Sequence, residues 1–95
     1  MERFSVKREN FELNISESFR NLRKEEYFFD VTLISDDEQL VSAHKLVLSA
    51  SSDFFKNILK RCTISNPLIF LPGIHSNELN SIMDYIYNGE VQLWN

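Results

Sequence analysis

The chain has 95 residues, 43% hydrophobic and 25% charged, with two Gly and two Pro; this balance excludes collagen-like, low-complexity and disordered chains and leaves room for one small domain. Its single cysteine, Cys62, excludes a disulfide scaffold and a zinc finger within these residues, and no apolar run approaches the ~18 residues of a membrane span. The net charge of -4 argues against a strong phosphate-binding surface, which needs clustered Lys and Arg.

Met1 to Arg8 lacks the apolar core of a secretory signal, so the expected compartment is reducing, cytosol or nucleus. Phe4-Ser5-Val6-Lys7 alternates and predicts a short extended segment with no partner nearby in sequence. Phe11, Ile15, Phe19 and Leu22 form one apolar stripe of a helix over about 11–24, capped by Asn10 or by Asn14 with Glu17 behind it. Phe28 to Ile34 is β-branched and aromatic and predicts a strand. Ser35 to Glu38 is a polar turn, and Gln39 to Ala43 returns as the second strand of a hairpin. His44 to Ala50 predicts a short apolar helix. Ser51 and Ser52 interrupt it, and either can cap a next helix with Phe54, Phe55, Ile58 and Leu59 on its apolar face, ending near Arg61.

Pro67 to Leu71 is a brief apolar run before Pro72-Gly73, which suits a buried strand. Ser76 is the expected cap of a helix whose Leu79, Ile82, Met83 and Ile86 give the clearest helical periodicity in the chain. Gly89 stops it. Val91 and Leu93 alternate after it. The order predicts an α+β domain, with short helices packed on a small sheet.

The chemistry-bearing residues are few. His44, His75 and Cys62 show no zinc-ligand spacing, and a Cys62–His44 nucleophile pair lacks an orienting acid. Gly73 and Gly89 stand alone, so there is no phosphate loop. Asp36, Asp37 and Glu38 read as a solvated turn. Lys56, Lys60 and Arg61 read as favourable charge near a helix C-terminus. No catalytic, cofactor-binding or metal-ligating residue is indicated. Asp30 lies in an apolar strand and Lys45 opens an apolar helix. They are either two exposed rim charges or a pair lining a groove at a subunit interface.

Three ordered blocks carry a family resemblance. Asp30-Val31-Thr32-Leu33, then Ala43-His44-Lys45-Leu46-Val47-Leu48-Ser49-Ala50-Ser51-Ser52-Asp53-Phe54-Phe55, resemble the centre of a BTB/POZ domain. Tyr85-Ile86-Tyr87-Asn88-Gly89-Glu90-Val91 is similar to that family's close. The opening Phe4-Ser5-Val6-Lys7 with Asn10, and Asn66 to Leu71 followed by Ile74 and Glu78-Leu79, are most like the insect tramtrack/bric-à-brac type. Two departures stand out: Lys7-Arg8-Glu9-Asn10 occupies the place of that group's Arg-Trp-Asn-Asn, and Ser51 the place of a cysteine.

The resemblance implies a single BTB/POZ domain over 1–95, with a core at about 28–93 and an N-terminal dimerisation strand and helix at about 3–25. It implies a further C-terminal helix, missing from these residues. It implies a protein-interaction module and not an enzyme, without cofactor. Dimerisation would use the first helix, through Phe11, Ile15, Phe19 and Leu22, and an exchanged N-terminal strand carrying Phe4 and Val6. The partner would be a second copy or another BTB domain, with higher oligomers in the insect group. Asp30 and Lys45 match the family's charged pocket. The expected setting is a nuclear transcription regulator that meets transcriptional cofactors, with no membrane contact and no nucleic-acid contact by this chain. The alternative is a cytoplasmic substrate adaptor of a cullin-type ubiquitin ligase. Such adaptors carry a hydrophobic-x-Glu signature after the third helix, and here no Asp or Glu occurs between Asp53 and Glu78.

Overall fold

The computed structural model describes the backbone of residues 11–89 and the side chains of 15–89. The extended segment at Phe4 to Lys7, the cap candidate Asn10, the alternating Val91 and Leu93, and any following helix lie outside the described residues. The element order is α1 (Phe11–Glu25), β1 (Val31–Ile34), β2 (Leu40–Ala43), α2 (Lys45–Ser51), α3 (Asp53–Lys60), β3 (Leu68–Phe70) and α4 (Ser76–Asn88). Short helices pack on a three-stranded sheet, an α+β fold.

α1 begins ahead of Asn14, which is therefore within the helix and not its cap. The helix ends in a Schellman pattern. Tyr27 N–H donates to Leu22 C=O at 3.0 Å and Glu26 N–H to Arg23 C=O at 3.2 Å. Glu26 stands where glycine is usual, at φ 61, and Phe28 is also left-handed at φ 65. Each such residue costs about 1–3 kcal/mol and persists only where neighbours hold it. These two turns are why the strand expected from Phe28 begins only at Val31.

β1 pairs antiparallel with β2, Val31 opposite Ala43 and Ile34 opposite Leu40. Asp30 N–H adds one rung, donating to Ala43 C=O at 3.1 Å. β1 pairs parallel with β3, Thr32 opposite Leu68 and Ile34 opposite Phe70, giving the order β2-β1-β3. The run at 67–71 is thus an edge strand, not the buried strand its composition suggests. Leu68 is 69% and Phe70 54% exposed. Pro67 fits this position because it need not donate, while its carbonyl accepts from Thr32 N–H at 3.0 Å.

Between α2 and α3 the chain breaks at Ser52, whose extended backbone sits between two helical runs. Its Oγ accepts from Phe55 N–H at 3.4 Å, so Ser52 is the cap and Ser51 the last residue of α2. Arg61 closes α3 as expected. On α3, Phe55 and Leu59 are buried, whereas Phe54 is exposed. α4 turns Leu79, Met83 and Tyr87 inward, spaced i, i+4, i+8. Ile82 is exposed and Ile86 only half-buried, so the buried stripe is rotated from the one the periodicity picks out. Gly89, at φ 74, ends α4, its N–H donating to Tyr85 C=O at 2.8 Å. Val31 and Leu33 of β1, Leu48 of α2, and Leu79 and Met83 of α4 form the centre of the core.

Candidate interaction surface

His44 and Tyr87 join the sheet, α1 and α4 at one buried point. His44 N–H donates to Tyr87 Oη at 3.0 Å, and the Tyr87 hydroxyl meets His44 Nδ1 at 2.6 Å. His44 Nε2 lies 2.7 Å from Tyr27 C=O. The carbonyl can only accept, so Nε2 carries a proton; in the neutral imidazole Nδ1 then accepts from the Tyr87 O–H. Burial holds the Tyr87 hydroxyl above its ordinary pKa, which keeps that proton in place. The bond to Tyr27 C=O also secures the turn between left-handed Glu26 and Phe28. Arg23 of α1 lies 5.1 Å above the Tyr87 ring and pairs with Asp84 at 3.1 Å. Both nitrogens of His44 are therefore engaged, and the imagined Cys62–His44 nucleophile has no free base.

The acidic turn is structural and not merely solvated. Asp37 Oδ1 accepts from Ser76 N–H at 2.9 Å, and Oδ2 accepts from Ser76 Oγ at 2.7 Å. Ser35 Oγ also donates to Oδ1. Asp36 Oδ1 accepts from Gly73 N–H at 3.0 Å. The N-terminus of α4 is thus capped by Asp37 from the hairpin, because His75, at the cap position, makes no side-chain bond. Ser76 donates to the cap and does not provide it. Hydrogen bonds from Ser35 and Ser76 lower the Asp37 pKa from 3.8 to about 2. A lowered folded-state value means stability that is present above the unfolded value and lost as pH falls through the folded one. Asp37→Asn is therefore expected to be less stable than the parent above pH ~4, with the two converging near pH ~2. Urea unfolding across this range checks it; a constant gap at every pH would contradict the role.

Two concavities flank α2. One, of ≈ 360 Å³, is apolar and lies between α1, α2 and α4, with Phe19, Leu46, Val47, Ala50 and Ile86 among its walls. The other, of ≈ 480 Å³, is walled by Asp30, Lys45, Leu46, Lys56, Leu59 and Lys60, and most of its lining surface is apolar. Leu46, 69% exposed, stands on the ridge shared by both.

Of the residues singled out for dimerisation, Phe4, Val6 and the side chain of Phe11 lie outside the described residues. Ile15 is 41% exposed, while Phe19 and Leu22 are half-buried and Phe19 packs against the chain's own core. Asp30 and Lys45 do come together in one groove, but not as an ion pair. Asp30 Oδ1 accepts from the Lys45 backbone N–H at 2.7 Å, and Lys45 Nζ donates to Ile64 C=O at 3.1 Å. The sequence reading missed Tyr87 and the capping role of Asp37. Tyr87 was legible as the i+8 continuation of Leu79 and Met83; the Asp37 cap is made between segments far apart in sequence and left no local signal.

Comparison with known proteins gives a consistent result. The family model described as BTB/POZ domain matches residues 19–94. Longitudinals lacking protein-like of Drosophila melanogaster is 39% identical over 92 residues, which is 97% of this chain and 72% of that protein. Protein abrupt, from the same organism, is 39% identical over 90 residues, 95% of this chain and 10% of that protein. Protein tramtrack, alpha isoform, is 33% identical over 97% of this chain and 11% of that protein. The chain thus spans about a tenth of the length of several relatives it matches. The solved BTB domain of zebrafish PATZ1 superposes with TM-score 0.78 at 20% identity, covering 97% of this chain and 75% of that one, a likeness of fold.

Proposed function

Because the chain belongs to the BTB/POZ domain family, a family of protein-interaction modules and not of enzymes, we propose that it is the self-association module of a longer nuclear transcription regulator. The observation that carries this reading is the apolar surface at α1 and α2. Ile15 and Leu46 are exposed beside a groove walled by Phe19, Val47, Ala50 and Ile86. A surface of this kind is covered when a second chain lays the same face against it. The similarity to abrupt and tramtrack across nearly the whole chain supports a regulator of the insect type. Residues 1–95 act as one domain in this reading, with the segment at about 3–25 serving dimerisation.

The partner is a second copy or another BTB domain, and the assembled face meets transcriptional cofactors. The mechanism is avidity: joining two chains raises the local concentration of whatever binding elements each carries, with no nucleic-acid contact by this module. Asp30 and Lys45 line a recruiting groove at the edge of the dimer face. Phe4 and Val6 alternate with no local partner, so strand exchange gives them one. Deleting residues 1–8 is expected to weaken self-association while leaving the helical circular-dichroism signal largely unchanged. Sedimentation equilibrium measures the first and far-ultraviolet spectra the second. A deleted chain that associates as tightly as the parent would remove the exchanged strand from this account. A parent chain that is monomeric at micromolar concentration would remove self-association itself.

A further inference from the structure

We propose that Thr63, in the segment joining α3 to β3, is a phosphorylation site for a protein kinase that reads basic residues upstream of its target. Thr63 is exposed, and it follows Lys60 by three positions and Arg61 by two. Among the Ser and Thr residues of the sequence it alone has a base at both places. A kinase whose peptide cleft carries carboxylates grips such a pair through charge-assisted hydrogen bonds, which are about twice as strong as neutral ones. Ile64, next in sequence, is 63% exposed and offers an apolar side chain to the same cleft. No Asp or Glu lies between Asp53 and Glu78 to repel the carboxylates of the cleft.

The fold presents this segment in a form that a cleft can take. A peptide cleft binds its substrate extended, and neither helix nor strand forms between Lys60 and Leu68. Among the described residues, no backbone N–H from Thr63 to Asn66 donates to a backbone carbonyl. Lys45 Nζ holds Ile64 C=O at 3.1 Å, but this bond is exposed and costs little to break. Lys60 and Arg61 close α3, and the last turn of a helix frays readily. Buried Pro67 anchors the far end, its carbonyl accepting from Thr32 N–H at 3.0 Å. In the transfer, Thr63 Oγ attacks the γ-phosphorus of ATP and the bond from that phosphorus to the bridging oxygen breaks. ADP leaves, and the hydroxyl proton passes to the catalytic carboxylate of the kinase. The phosphate brings a charge of about -1.5 to -2. The stretch from His44 to His75 holds four bases and one acid, so the phosphate removes most of its positive excess.

The test incubates the full chain with ATP and the catalytic subunit of cyclic-AMP-dependent protein kinase, beside a synthetic peptide of residues 57–68. Tandem mass spectrometry is expected to place a phosphate on Thr63 in both, and none on Ser65, which has Cys62 and Thr63 where the two bases would stand. Thr63→Ser is expected to keep the phosphate and Thr63→Ala to lose it. Lys60→Gln with Arg61→Gln is expected to lower kcat/KM roughly a hundredfold, about tenfold for each base, with the circular-dichroism spectrum unchanged. A modified peptide beside an unmodified chain would show that the fold withholds Thr63 and would overturn the proposal. So would phosphate on other hydroxyls with Thr63 bare, an equal rate for the double variant, or a peptide and a chain that both stay unmodified.

Discussion

Tyr87→Phe is expected to lower the melting temperature by about 10–20 °C at fixed protein concentration. The substitution removes one oxygen and keeps the ring, so the apolar packing of Tyr87 between Arg23 and His44 is retained. It nevertheless strands two polar groups at once, the backbone N–H and the Nδ1 of His44, both of which meet that hydroxyl. A buried donor or acceptor left without a partner costs about 1–3 kcal/mol. In a domain of this size each kcal/mol moves the midpoint by about 4–8 °C. The effect reaches further than the pair. His44 Nε2 braces the Tyr27 carbonyl between the left-handed Glu26 and Phe28, so loosening the imidazole releases that turn. Thermal denaturation followed by circular dichroism measures the shift, and a change under about 2 °C would show that the network contributes little.

Ile15→Asp is expected to abolish self-association at micromolar concentration while barely changing the stability of the monomer. Ile15 is 41% exposed in the single chain, so an aspartate there remains solvated until a partner covers it. Covering it would bury an unpaired charge, which costs about 3–5 kcal/mol and raises the dissociation constant roughly a hundred- to several-thousandfold. Phe19→Asp separates the two roles by contrast. Phe19 packs against the chain's own core, so that variant is expected to lose fold stability as well as association. Sedimentation equilibrium and urea unfolding of both variants distinguish the effects. A variant at Ile15 that associates like the parent would place the interface elsewhere.

Much of the fold was legible because its decisive residues act locally. The β-branched and aromatic run ending at Ile34, the periodicity of Leu79, Ile82, Met83 and Ile86, and the serine break at Ser51–Ser52 each belong to one short window, and a strand, a helix and a helix start form there. What was not legible depends on partners distant in sequence. Nothing in Glu26 or Phe28 advertises a left-handed backbone, since neither is glycine or asparagine; a carbonyl held by His44 sustains it. The acidity of Asp37 suggested solvent, yet its carboxylate is used by Ser76 across the fold. The run from Leu68 to Phe70 is apolar enough for an interior strand and still lies at the sheet edge, because edge or centre is a property of topology. Asp30 and Lys45 stand out in the sequence as charges among apolar neighbours, and the bond between them runs through a backbone amide instead of through opposite charges.

The parallel pairing of β3 with β1 also orders the assembly of the chain in time. The β1–β2 hairpin needs only the short turn at Ser35–Gln39 to close, an event that takes microseconds in isolated hairpins. β3 cannot reach Thr32 to Ile34 until the whole stretch through α2 and α3 has been gathered between them, a closure of much higher entropic cost. The hairpin and the helix pair therefore precede β3, and Leu68 and Phe70 dock against a sheet already formed. Among the described residues β3 is also one of the two edges of the sheet, so a strand that docks late lies where a further strand can add.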